Sequence, residues 1–206
     1  MTNSSPSNPP SKPVVETSPD LGIITPVFNK IVFNSRLRGC NEKVLCIDPG
    51  TEKSGVVIID YKREEDGDRM AVIPLGSEVD NDEVLYILHD NTYGCNTLAI
   101  EMVGCYGMAV GASTFETCVW IGRFIERFKR EHKFIYRKDV KLNLCNSMRA
   151  KDANVRQALL DRFEPTGGGK TPQIGTKKQP GPLFGMSSHQ WSALAVGITY
   201  MESREV

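Results

Sequence analysis

Apolar and polar positions follow a definite order along this chain. KVLCID (43–48) and GVVIIDY (55–61) are apolar runs separated by a short Pro-Gly segment, the pattern of two strands joined by a tight turn. RMAVIPLG (69–76) follows the charged hairpin KREEDGD and predicts a third strand. DNDEVLYILHD (80–90) opens with acids and spaces Val84, Leu85 and Leu88 as a helix does. TLAIEMV (97–103) reads as a short buried strand, and GCYGMAVGA (104–112) as a glycine-rich loop.

The next helix opens with S-T-F-E, Ser113 to Glu116, which has the form of a capping box. Cys118, Val119, Ile121, Phe124, Ile125 and Phe128 carry its apolar periodicity, and the helix is expected to run from Ser113 to His132. KFIYRK (133–138) fits a strand, and KDANVRQALLDRF (151–163) an amphipathic helix with Val155, Ala158, Leu159 and Phe163 on one side. Residues 165–185, PTGGGKTPQIGTKKQPGPLFG, cannot be regular structure, and a loop that long in a compact domain is often functional. SHQWSALAVGITYM predicts a buried final helix capped by Ser188 or Ser187.

Three antiparallel strands followed by strands alternating with helices predict one α/β domain, a mixed sheet covered by helices. Residues 1–20 are Ser/Pro/Asn-rich and read as a disordered tail, residues 21–42 as an N-terminal extension with some strand content, and 43–206 as the domain.

The formal charge of the 206 residues is zero, but its distribution is uneven. Residues 1–120 hold 9 Lys and Arg against 17 Asp and Glu, whereas residues 121–185 hold 15 against 6. Such asymmetry fits a polyanionic partner, and a solvated helix face equally. The six cysteines form no C-x-x-C pair and lie mostly in apolar runs, so they read as buried residues of a reducing compartment. No signal peptide or membrane span is expected, which points to the cytoplasm.

Two buried-type strands end in a carboxylate, at Asp48 and at Glu101. Burying a lone charge is costly, and two such acids side by side repel unless a cation lies between them. The Asp48 turn, IDPGT, is compatible with a metal ligand, a phosphate cradle or plain turn chemistry. His189 opens the final helix, where a neutral imidazole can bind metal, and Ser192 lies three residues on, on the same face.

The order of IDPGTEKSGVVIID, LAIEMV, VKLNLCNSMRAKDANVRQAL and HQWSALAV resembles the RuvC-like Holliday-junction resolvases of the RNase H-like superfamily. The likeness is greatest to phage and prophage forms and spans about residues 43–200. It implies a five-stranded mixed sheet flanked by helices, and metal-dependent hydrolysis of phosphodiesters in four-way or other branched DNA by a homodimer. It implies two Mg²⁺ (or Mn²⁺) ions bound by residues like Asp48, Glu101 and His189, with a fourth acid at the position that holds Ser192 here. A hydroxyl is a far weaker ligand, and Asp152, where many relatives carry a lysine, is a candidate substitute. The third sequence stretch corresponds to the family's basic loop and following helix. Lys138, Lys141, Arg149, Lys151, Arg156, Lys177 and Lys178 are expected to hold phosphates, and Tyr106 to stack on an unpaired base. The long helix with Trp120, Ile121, Phe124 and Phe128 is expected to pack across the two-fold.

Other readings remain open. A YqgF-like enzyme acting on RNA, or a flap or debranching nuclease, would share the fold. A junction-binding protein impaired in catalysis would explain Ser192. Actin-like ATPases and sugar kinases share the Asp-x-Gly-Thr turn, but need a duplicated domain far longer than 206 residues.

Overall fold

Consecutive β-branched residues, Val56 to Ile59, fill the longest strand and build the middle of a mixed sheet. The computed structural model describes residues 29–30, 41–65, 67–105, 107 and 109–203. The expected tail, and the extension apart from residues 29, 30, 41 and 42, lie outside them.

Strands β2 (Glu42–Asp48), β3 (Lys53–Lys62) and β4 (Arg69–Pro74) form an antiparallel meander. β6 (Thr97–Met102) then pairs in parallel with β2, and β7 (Glu131–Tyr136) in parallel with β6. These are the five strands expected. Two two-residue strands are added: β1 (Asn29–Lys30) pairs with β4, and β5 (Val79–Asp80) with β3. The order across the sheet is β1-β4-β3-β2-β6-β7.

Strand alternation sorts the core into two layers. Leu45, Ile47, Val56, Ile58, Leu98 and Ile100 pack on one face with α1 (Asn81–Asp90) and α2 (Ala112–Phe128). Val44, Cys46, Val57, Ile59 and Ala99 pack on the other with α3 (Arg137–Cys145), α4 (Asp152–Leu160) and α5 (Ser188–Ser203). Asp48 keeps the parity of Val44 and Cys46, and Glu101 that of Ala99. Both carboxylates therefore point to the α3–α5 face, at the ends of parallel neighbours.

α5 is buried on nearly every side from Gln190 to Met201. It lies against β2 and β3 so closely that a Cβ on Gly197 would meet Cys46 Sγ at 2.3 Å. Arg162, just past α4, clamps Glu202 of α5 with bonds of 2.7 and 3.1 Å, which ties these helices together.

Several expectations are corrected. The segment expected as a basic loop after KFIYRK is the helix α3: Val140 and Leu144, one turn apart, bury into the core, and Asp139 accepts from the Tyr136 amide at 3.3 Å. β7 accordingly stops at Tyr136. α2 starts at Ala112 with Gly111 as N-cap, and no side chain caps it, so Ser113 to Glu116 is not a capping box. It ends at Phe128 rather than His132, because Lys129 turns into the left-handed region at φ 53° and His132 joins β7. Of the residues expected to cross a two-fold, Ile121, Phe124 and Phe128 are buried in the protein's own core and Trp120 packs partly against it. The exposed apolar residues of this helix are Phe115 and Val119.

Residues 165–185 contain no helix and only an isolated bridge between Gly175 and Pro180. They are nonetheless tightly folded. Gly167 donates to Pro172 O, Gly181 to Ile174 O and Leu183 to Gln173 O, each at 2.9 Å. Thr176 and Gln179 exchange two backbone bonds, leaving Lys177 and Lys178 at the exposed tip. Leu183 anchors the segment in the core.

Candidate active site

The parallel register of β2 and β6 matches Ile47 with Ile100 and so brings Asp48 beside Glu101. Both acids are largely shielded from water, and each feels the other's charge or proton. Burial, followed by the neighbouring Asp48 charge, pushes Glu101 up to about 7. Burial also raises Asp48, opposed by its hydrogen bond to His189. Two carboxyls crowded in this way titrate as a pair, and holding both charges at once is costly.

His189 stands over this pair because the first turn of α5 can approach β3. Asp48 pairs across the sheet with Gly55, where a Cβ would lie 2.5 Å from the His189 carbonyl. Ser187 caps the helix: its amide donates to Gln190 Oε1 at 2.9 Å, and its hydroxyl faces the Gln190 amide at 3.4 Å. Of the two expected caps, Ser187 is the one used. The imidazole then faces two carboxylates, with Nδ1 3.2 Å from Asp48 Oδ2 and Nε2 3.1 Å from Glu78 Oε1.

Two clefts open from Asp48. One, of about 330 Å³, is lined by Asp48, Glu101, Arg137 and the start of α2. The other, of about 430 Å³, is lined by Asp48, Arg137, Asp152, Arg156, His189 and Ser192. Arg137 borders both. It pairs with Asp152, and its charge lowers the pKa of Asp48 and Glu101 against the larger effect of burial.

The structure therefore gathers Asp48, Glu101, His189, Asp152 and Ser192 into one place. Of the expected phosphate-binding residues, it brings Arg156 there too, its guanidinium 4.4 Å above the Trp191 ring. Lys138, Lys141, Arg149, Lys151, Lys177 and Lys178 line neither cleft; all but the half-buried Lys141 are exposed. Tyr106 lies outside the described residues.

Sequence reasoning missed Arg137 and Glu78. For Arg137 a signal existed: β7 is a third parallel strand, and Arg137 follows its last residue as the acids close β2 and β6. For Glu78 there was none, because its partner is 111 positions away.

The residues fit a hard divalent cation on this face. Two adjacent carboxyls crowd together, Glu101 pushed up to about 7, which a cation between them would relieve, and an imidazole nitrogen lies beside one of them. The fit is an open one: among the described residues no three His, Cys, Asp or Glu side chains form a ready cage. A second ion would find Ser192 and Asp152 rather than a pair of acids. Among the described residues, no helix is long and apolar enough to cross a membrane.

No protein-family model matches the sequence, and no curated protein matches it. Solved structures do. The structure of Thermus thermophilus RuvC aligns with a TM-score of 0.53 at 16% identity, covering 78% of this chain and 93% of that one. T. thermophilus RuvC in complex with a Holliday junction substrate gives 0.51 at 17% identity, covering 77% and 92%. At this identity the likeness concerns architecture: the chain has the RuvC fold, an RNase H-like mixed sheet with helices on both faces.

Proposed function

We propose that the protein is a divalent-metal-dependent endonuclease that resolves four-way DNA junctions by hydrolysing phosphodiester bonds. The observation that carries this reading is the juxtaposition of Asp48 and Glu101 at the ends of two parallel strands, with His189 Nδ1 3.2 Å from Asp48. A RuvC with the same fold is solved with a Holliday junction substrate, which supports branched DNA as the target.

Asp48, Glu101 and His189 would hold Mg²⁺ or Mn²⁺, which supplies an activated water and stabilises the leaving 3′ oxygen. Arg137 borders both clefts, and its five fixed donors suit the non-bridging oxygens of the scissile phosphate. Arg156, held flat by Trp191, suits the next phosphate along the strand. Lys138, Lys141, Arg149, Lys151, Lys177 and Lys178 add sequence-independent attraction to the flanking arms. Asp152 pairs with Arg137 and lines the same cleft as Ser192, for which it would compensate.

Symmetric cutting needs two sites, and α2 offers a face for a second copy. Phe115 and Val119 are 64% and 62% exposed, and Tyr86 of α1 is 61% exposed beside them. Gly122 continues this stripe with open space above it, so another helix can approach closely.

The test is a synthetic four-way junction incubated with the protein, with and without Mg²⁺ or Mn²⁺, beside an Asp48→Asn variant. Paired symmetric nicks that need the cation and vanish in the variant are expected. Binding without cleavage in either metal would favour a second reading, a junction-binding protein without catalysis, for which Ser192 is the specific observation. Cleavage confined to RNA would move the substrate class instead.

A further inference from the structure

Glu78 stands outside the motifs that point to a nuclease, yet it is built into the site. It sits in the turn between β4 and β5, and both neighbours of that turn hold it. On the β3 side, the Leu75 amide donates to Val56 O at 3.1 Å, and Val79 pairs with Ser54. On the α5 side, the fully buried Gln190 donates to Leu75 O at 3.1 Å and to Gly76 O at 2.6 Å. Ser187 Oγ donates to Ser77 O at 2.5 Å. The cap of α5 and the turn carrying Glu78 are thus one unit, and between its anchors the Glu78 carboxylate meets His189 Nε2 at 3.1 Å.

The two ring nitrogens consequently have different duties. Nδ1 faces Asp48 and the carboxylate pair, and Nε2 faces away from them toward Glu78. An imidazole coordinates through a lone pair, and which nitrogen keeps its proton is set by the bond that the other side makes. A carboxylate on Nε2 keeps the proton there, so when a cation replaces the bond to Asp48 it is Nδ1 that releases its proton to solvent and offers a lone pair. It also stops ring rotation, because a flipped imidazole would lose both partners. The His189 side chain is 55% exposed, so packing alone does not fix it.

We propose that Glu78 is the positioning residue of His189, holding its Nε2–H so that Nδ1 is presented to a divalent cation on Asp48 and Glu101. This rests on the reading that those residues bind a cation. Glu78 also brings an acid to the site through His189, although the position one turn along α5 carries only Ser192.

The experiment is calorimetric titration of Mn²⁺ into the wild-type protein and the variants Asp48→Asn, Glu78→Met, Glu78→Ala and Glu78→Gln. Glu78→Met and Glu78→Ala lack an acceptor and are expected to bind Mn²⁺ about 10–100-fold more weakly. Glu78→Gln keeps an acceptor oxygen and is expected to recover most of that loss, which a merely structural role would not predict. In the Mg²⁺-loaded wild type, the nitrogen spectrum of His189 should show the proton on Nε2. Wild-type affinity in Glu78→Met and Glu78→Ala, or equal losses in Glu78→Gln and Glu78→Met, would overturn the proposal. Affinity unchanged by Asp48→Asn would instead overturn the cation reading, and this one with it.

Discussion

Arg137 pairs with Asp152 across the mouth of the carboxylate site, joining the first residue of α3 to the first residue of α4. The Asp152 side chain is 80% exposed, so the pair contributes at most about 1 kcal/mol to stability. Asp152→Asn should therefore leave the melting temperature nearly unchanged. It is expected to reduce cation-dependent cleavage while keeping junction affinity, as measured by single-turnover cleavage beside a binding titration. Unchanged cleavage would remove Asp152 from the machinery. Arg137→Ala should slow cleavage by on the order of 100-fold, as loss of one charge-stabilising donor does. Arg137→Lys should recover only part, because an ammonium cannot reproduce the fork.

The crowded acids give the cation-free protein a distinctive pH profile. Glu101, raised to about 7, keeps its proton in the folded state at pH values where the unfolded chain has released it. The folded state then binds more protons than the unfolded one, so stability falls as pH rises. The fall should begin near the ordinary carboxylate value, about 4.5, and level off just above 7. Thermal melts in a chelator from pH 5 to pH 8 should show this slope. Mg²⁺ should remove it at the upper end, and Glu101→Gln should abolish it. A flat profile in the chelated wild type would contradict the raised Glu101.

Gly55→Ala tests how the site is closed. The new Cβ would lie 2.5 Å from backbone atoms of His189, so the first turn of α5 must move away from β3. Overpacking of this kind typically costs about 1–3 kcal/mol. Because the displaced residue is His189 itself, cleavage should fall further than the loss of stability accounts for. Chemical denaturation and cleavage rate, read on the same preparation, check this.

Lys177 and Lys178 form the tip of the 165–185 segment. Replacing each by Ala should reduce the slope of log affinity against log salt by about one, with the cleavage rate on saturated junction unchanged. A slope unaltered by the double replacement would place the tip away from DNA.

The main architecture was legible because it rests on local patterns. The apolar runs ending at Asp48 and Glu101 show buried strands that finish on a carboxylate, and the S-S-H-Q start marks a helix. What escaped was set by tertiary context. α3 presents only Val140 and Leu144 to the core, so its periodicity is too sparse to separate from a basic loop. The break at Lys129 requires a left-handed conformation in a residue with no preference for it. The residues that follow, Lys129 to Lys133, are all polar and include no Gly or Pro, so nothing in the sequence marks the boundary. Ser113 illustrates the converse, a capping pattern in the sequence that falls on the second residue of the helix it seemed to cap. Among the site residues, Glu78 could not be read at all, since a Glu in a turn says nothing until α5 is laid against it.

The glycine-rich segment 165–185 has a thermodynamic consequence. A 21-residue basic loop that ordered only on contact with DNA would lose about 1–2 kcal/mol of backbone entropy per residue at that moment. Here Gly175 and Gly181 are packed so closely that a Cβ on either would come within 2.2 Å of another backbone atom, and Leu183 pins the end. That entropy is lost once, when the chain folds, and the two lysines at the tip meet the phosphates from a fixed platform. The protein should therefore dock on a junction as a preformed solid, with a small heat-capacity change and little of the sluggishness of binding coupled to folding.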